Sequence, residues 1–120
     1  MIFDPLRYVH HIWRGQGDIG IKWSEPSNFI PLSVRIHFVG GSGTAALALA
    51  LYDLSLNEAG ETLDTVSALG TGADLNWRLA ESEYSSWLIH PTECLSLAWT
   101  NPDATNMTWK CRVRGWIGSA

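Results

Sequence analysis

The sequence predicts an all-β fold, an antiparallel β-sandwich built as a single domain. Three observations predict it. Apolar residues recur at every second position in short runs, the period of a strand with one buried face. Turn signals rich in Gly, Pro, Asn and Asp separate these runs at intervals of about eight to twelve residues. No run of helical period is long enough to compete with them. A chain of 120 residues suits one domain that buries about two-thirds of its unfolded surface.

Taken in order, residues 1–6 read as a short N-terminal arm and residues 7–120 as the sandwich. Asp4-Pro5 favours an extended or turned backbone. The apolar Ile2, Phe3 and Leu6 then leave two readings open, a frayed terminus or an arm docked on a neighbouring subunit. Arg7 to Trp13 sets Tyr8 and His10 against Val9, His11 and Trp13, which is a strand. The turn Gly15-Gln16-Gly17-Asp18 leads to a second short strand with Ile19, Ile21 and Trp23 on one face. Glu25-Pro26-Ser27-Asn28 ends it.

The stretch Leu32–Leu54 reads as the centre of the fold, two long apolar strands folded back on glycine. Leu32, Val34, Ile36 and Phe38 alternate with Ser33, Arg35 and His37. Gly40, Gly41 and Gly43 supply a tight connection. Leu47, Leu49 and Leu51 then alternate with Ala46, Ala48 and Ala50, a pattern suited to a strand covered on both faces. Beyond it, Ser55–Glu61 reads as a turn, and Thr62–Leu69 as a weaker strand or a short helix. Leu75, Trp77 and Leu79 mark another strand, and Glu81–Ser86 a single helical turn. Trp87–His90 is a short strand, as are Leu95–Trp99 and the last run, Met107–Arg114. Jelly-roll and immunoglobulin-like wiring both use this many short strands; the expectation is a jelly roll with Leu32–Leu54 across its core.

Composition narrows the function. Hydrophobic residues make up 46% and charged residues 17% of the chain, thin charge for a soluble surface, so some surface is expected to be covered by other chains. Net charge is −4, and the longest basic cluster is Lys110, Arg112 and Arg114, which argues against nucleic acid as a partner. No apolar run reaches the ~18 residues of a membrane span, and the first residues lack the regions of a signal peptide. The expectation is therefore no membrane partner and folding in a cytosol. The seven tryptophans are dispersed from Trp13 to Trp116, which favours core plugs over an aromatic sugar platform.

Catalytic and metal chemistry find little footing. His10 and His11 are adjacent in a strand and point to opposite faces, and His37 and His90 stand apart without carboxylate or thiol ligands at metal spacing. Glu81 and Glu83 sit in a polar turn, the ordinary place for solvated charge rather than for a glycosidase pair. No catalytic residue, cofactor site or metal site is assigned. Cys94 and Cys111 depend on register. A hairpin of 94–99 with 107–114 that pairs Trp99 with Met107 keeps them on different faces, and a slip of one residue would set them opposite. Without a secretory context they are expected as buried reduced thiols. Lys110, Arg112 and Arg114 form a basic stripe, either a solvated face against Asp or Glu across the sheet or a contact for an acidic partner.

The strands LSVRIHF and LALALYDL and the late segment ECLSLAWTNPDATNMTW resemble compact virion proteins of tailed bacteriophages, capsid decoration (cement) proteins and related head or tail modules. The likeness runs from Leu32 to Trp116. It implies a non-enzymatic structural role and assembly as homotrimers on a capsid, with the major capsid protein or another virion protein as partner. It also implies a place in the virion after assembly in host cytoplasm. On this reading the contact residues are Ile2, Phe3, Leu6, Tyr8, Lys110, Arg112 and Arg114. A carbohydrate-binding module, with a glycan as partner, is the alternative, and exposure of the tryptophans separates the two.

Overall fold

Where the apolar period is two, the chain is extended. The computed structural model describes residues 3–39, 44–53, 58–69, 74–101 and 107–118, with backbone alone at 3–6, 44–46, 53, 58–61 and 66–69. Its strands are β1 (Phe3–Gln16), β2 (Ile19–Trp23), β3 (Phe29–Val39), β4 (Thr44–Asp53), β5 (Glu58–Leu69), β6 (Asp74–Arg78), β7 (Glu93–Trp99) and β8 (Thr108–Gly118). A 3₁₀ turn, Glu81–Trp87, lies where the polar helical turn was expected. Trp87–His90 contributes an isolated bridge, Ile89 to Phe29, rather than a strand.

The strands form two antiparallel four-stranded sheets, β1-β8-β3-β6 and β2-β7-β4-β5. This order is jelly-roll wiring: consecutive strands lie in opposite sheets except β4 and β5, which pair with each other. The all-β sandwich expectation holds, and with it the jelly roll.

Three local expectations give way to this wiring. Leu32–Leu54 is not a hairpin, because β3 pairs with β6 and β8 while β4 pairs with β5 and β7. Both strands carry one fully apolar face, so placing them in opposite layers buries both faces in one core. The glycine connection at 40–43 lies outside the described residues. Segment 58–69 is one long strand, so residues 58–61 of the turn expected over 55–61 are strand instead, and 55–57 lie outside the described residues. β7 and β8 are likewise in different sheets, so no hairpin register connects Cys94 with Cys111. Both cysteines are free and buried, as expected.

The core lies between the sheets. Val34, Ile36, Phe38, Cys111 and Val113 from one layer meet Leu47, Leu49, Leu95, Leu97 and Trp99 from the other. Phe38 and Trp99 cross the gap with ring centroids 4.8 Å apart. Trp23, on β2, reaches across to β8, where a Cβ on Gly115 would stand 2.8 Å from its ring. Glycine is what allows that approach. Trp77 packs on Trp87 at 5.0 Å. Five of the seven tryptophans, Trp23, Trp77, Trp87, Trp99 and Trp109, are buried, the core-plug reading of their dispersion. Each such side chain contributes on the order of 2–3 kcal/mol through apolar burial.

The two open sides of the sandwich are each tied by a carboxylate that takes an indole N–H. Beside β1 and β2, Glu25 Oε2 accepts from Trp23 Nε1 at 2.9 Å and meets His11 Nε2 at 2.6 Å. Beside β5 and β6, Asp64 Oδ2 accepts from Trp77 Nε1 at 2.9 Å. A buried indole N–H without an acceptor would cost about 1–3 kcal/mol, so these acidic residues are structural.

Candidate functional site

The outer face of the β1-β8-β3-β6 sheet is the site the fold builds. Alternation sends every second side chain of each strand outward, and register aligns them in rows. One row runs His10, Arg114, Ser33, Arg78. The next runs Ile12, Arg112, Arg35, Asn76, and a third runs Arg14, Lys110, His37, Asp74. Six of the chain's eight lysines and arginines stand on this face, although the chain carries twelve acids against eight cations. Among the described residues, Asp74 is the one carboxylate on it.

The stripe Lys110, Arg112, Arg114 thus becomes the middle of a broader grid. Arg14, Arg35 and Arg78 were not singled out from the sequence, and strand order is what assembles them: β8 lies between β1 and β3, with β6 beyond. The signal available in sequence was outward parity on each strand, which says nothing about neighbours. Both readings of the stripe meet on this face. Arg35 bonds Asp74 at 3.1 Å across the sheet, while Arg112 and Lys110 have no carboxylate partner among the described residues.

Asp74 also binds His37 Nδ1 at 2.5 Å. The bond from His37, and then that from Arg35, hold its carboxyl below the ordinary aspartate value. His37 is therefore not the isolated histidine expected, since register brings β6 beside it. His10 points outward and His11 inward to Glu25, opposite faces as expected. His90 meets Asn28 Oδ1 at 3.0 Å.

Among the described residues, the same face gathers the exposed large hydrophobic side chains: Tyr8 at 40% exposure, Ile12 at 49% and Val39 at 55%. Tyr8 stacks parallel to Trp116, centroids 6.1 Å apart, with the Arg114 guanidinium 4.2 Å from its ring centre. Tyr84 meets Trp116 edge-on, centroids 5.8 Å apart. Of the remaining expected contact residues, Ile2 lies outside the described residues, and Phe3 and Leu6 are described as backbone in β1. That strand begins at Phe3, paired with Gly118, so part of the expected arm continues this sheet.

The opposite face, on the β2-β7-β4-β5 sheet, is small-featured. Gly20, Ala48, Ala50, Ser96 and Ala98 line it, with Lys22 lying 4.1 Å from the Tyr52 ring centre. Ala48 and Ala50 are half-buried, so the face expected to be fully covered is partly open.

No family model matches the chain, and no curated protein matches it. Among solved structures it is similar to the decameric BFDV capsid protein, at 9% identity over 94% of this chain and 100% of that one, TM-score 0.42. It is similar to the family 11 carbohydrate-binding module from Clostridium thermocellum, in complex with a mixed-linked tetrasaccharide, at 10% identity over 97% and 91%, TM-score 0.41. It is also similar to the SPBc2 prophage-derived protein YomS, at 13% identity over 82% and 94%, TM-score 0.38. These superpositions are loose, and the jelly-roll assignment comes from the strand order itself.

Proposed function

We propose that this chain is a non-enzymatic virion structural protein, a capsid decoration or cement protein of a tailed bacteriophage. It binds the major capsid protein or another virion protein and stabilises the lattice as a homotrimer, after assembly in the host cytoplasm. One observation carries the reading. Among the described residues, a single sheet face collects the exposed large hydrophobics together with six cations, five of them arginine. Arginine and aromatic side chains are enriched at protein interfaces, whereas scattered surface apolar residues are ordinary. The jelly roll is also an architecture that viral shells use. On a repetitive lattice, many modest contacts of this face sum to tight attachment through avidity. The arm residues Ile2, Phe3 and Leu6 belong to the same reading, the backbone of Phe3 and Leu6 lying in β1 at the edge of this sheet.

In particles purified from the native source, the protein is expected at a copy number comparable with the major shell protein, by quantitative mass spectrometry. Its absence from particles would overturn the reading. Light scattering at micromolar concentration is expected to give a trimer; a clean monomer would remove the trimeric part.

The alternative, a carbohydrate-binding module, would place aromatic rings in solvent. With five tryptophans buried, the half-buried Trp13 and Trp116 and the exposed Tyr8 are left to serve a sugar. Titration with soluble glycans is therefore expected to leave tryptophan fluorescence unchanged, and a saturable change would favour the sugar reading.

A further inference from the structure

Two adjoining depressions open on the basic face, and both are bounded by His37 and Lys110. One, of roughly 290 Å³, also touches Arg35, Asp74 and Arg112. The other, of roughly 400 Å³, has an apolar floor that includes Val39, Gly15 and Trp109, with Arg14 at its rim. A polar, cationic hollow thus lies next to an apolar one large enough for a single bulky side chain.

Register places like charges directly opposite each other here, Arg112 against Arg35 and Arg14 against Lys110. Such pairs destabilise a sheet unless an anion lies between them. Asp74 serves Arg35 and His37 at one end of its row. Arg14, Lys110 and Arg112 keep no carboxylate among the described residues.

We infer that this face receives a segment of a different protein, acidic and apolar together. Its carboxylates lie over Arg112 and Arg35, and an apolar side chain fills the hollow above Val39 and Gly15. The inference rests on the reading of this face as the contact surface. A nucleic acid fits less well. Ile12 and Val39 offer a phosphate backbone nothing, and the Tyr8 ring already carries Arg114, whereas single strands need open stacking planes. A second copy fits less well too. The described outward residues of the opposite sheet include no carboxylate, and two copies of the basic face would repel.

The test uses three fluorescent probes of equal formal charge: peptides of about eight residues alternating Glu with Leu or Glu with Ser, and an oligothymidylate. Anisotropy titrations at low salt are expected to show the Glu/Leu peptide about tenfold tighter than Glu/Ser, the worth of one buried leucine. Arg112→Glu is expected to weaken both peptides by about tenfold or more, and the milder Arg112→Gln by less. Val39→Asp is expected to remove the preference for leucine. Thermal melts establish that each variant is folded; were Arg112→Glu to unfold the chain, Arg112→Gln and Val39→Asp would carry the test.

Equal affinity for the two peptides, tighter binding of the oligothymidylate, or indifference to Arg112→Gln in the folded protein would overturn the inference. So would light scattering in which Arg112→Gln dissolves an oligomer, since the face would then be occupied by a second copy. Failure of the peptides while Arg112→Gln lowers the protein's copy number in particles would refute this occupant and leave the virion reading intact. Peptide binding by a protein absent from particles would do the reverse.

Discussion

Glu25 shows how few atoms hold this sandwich closed. One carboxylate oxygen accepts the Trp23 indole and meets the His11 ring, and the Glu25 side chain is nearly inaccessible to solvent. Glu25→Leu would leave the indole N–H without an acceptor, so a loss of about 1–3 kcal/mol is expected in denaturant unfolding, with little change in slope. Gly15 is a second such point. A Cβ there would lie 2.3 Å from the Trp109 ring, and a buried indole has little room to shift. Gly15→Ala is expected to destabilise by about 1–3 kcal/mol, while Gly20→Ala, which meets nothing within 4 Å, is expected to stay within about 0.5 kcal/mol. Comparable losses in the two variants would refute the packing argument. Asp74 carries the pH dependence of the basic face. Its carboxyl is held below the ordinary aspartate value, so the contribution of its contacts is present above the unfolded-state value and is lost as pH falls through the folded one. A carbon-13 titration is expected to place the Asp74 midpoint below that of a free aspartate, and His37→Ala to move it back up.

At the scale of elements, the arrangement of β3, β8 and β1 decides both stability and contact. Arg112 sits between Ile12 and Arg35 in one row, so removing its charge relieves a like-charge pair. Arg112→Gln is expected to stabilise the isolated chain by a few tenths of a kcal/mol while weakening partner binding, the trade found where surface charge serves recognition. A loss of stability in the same melt would show that the arginine stem packs more than its charge repels. The separation of β7 from β8 has its own consequence. Burial pushes the Cys111 thiol up to about 12 and raises Cys94 as well. Neither thiol is expected to react with a maleimide in the native protein at pH 8, and both are expected to react once it is unfolded.

Across the whole molecule, charge is polarised. A chain of net charge −4 turns a cationic face to one side, and among the described residues Asp74 is the one acid on that face. Attachment through that face is expected to weaken steeply as ionic strength rises, because the Debye length shrinks from about 10 Å at 0.1 M salt to 3 Å at 1 M. Co-sedimentation with particles at a series of salt concentrations reads this directly. Attachment indifferent to salt would point to the apolar arm instead of the basic grid.

Period and punctuation were enough to determine the all-β class, the approximate positions of most strands, and the inward face of those that alternate strictly. Trp87–His90, expected as a strand, is a single bridge, and 62–69, which keeps no one period, is a strand. The Val34, Ile36, Phe38 run and the Leu47, Leu49 run entered the core on the faces their alternation assigned. Burial is a property of single side chains, and alternation encodes it residue by residue. The 3₁₀ turn at Glu81 and the buried tryptophans were legible for the same reason. Pairing was not. Whether β3 turns back on β4 or crosses to the opposite layer leaves the inward pattern of both strands unchanged, since either way one apolar face is buried. The hairpin reading of Leu32–Leu54 and the proposed pairing of 94–99 with 107–114 failed at that point. The candidate site depended on the same missing information. Three of its cations were visible as a stripe along one strand, but Arg14, Arg35 and Arg78 join them only because β8 lies between β1 and β3, with β6 beyond. Outward side chains gain nothing from the core, so no hydrophobic pattern records which of them are neighbours. Tertiary structure alone made a dispersed set of cations into one face.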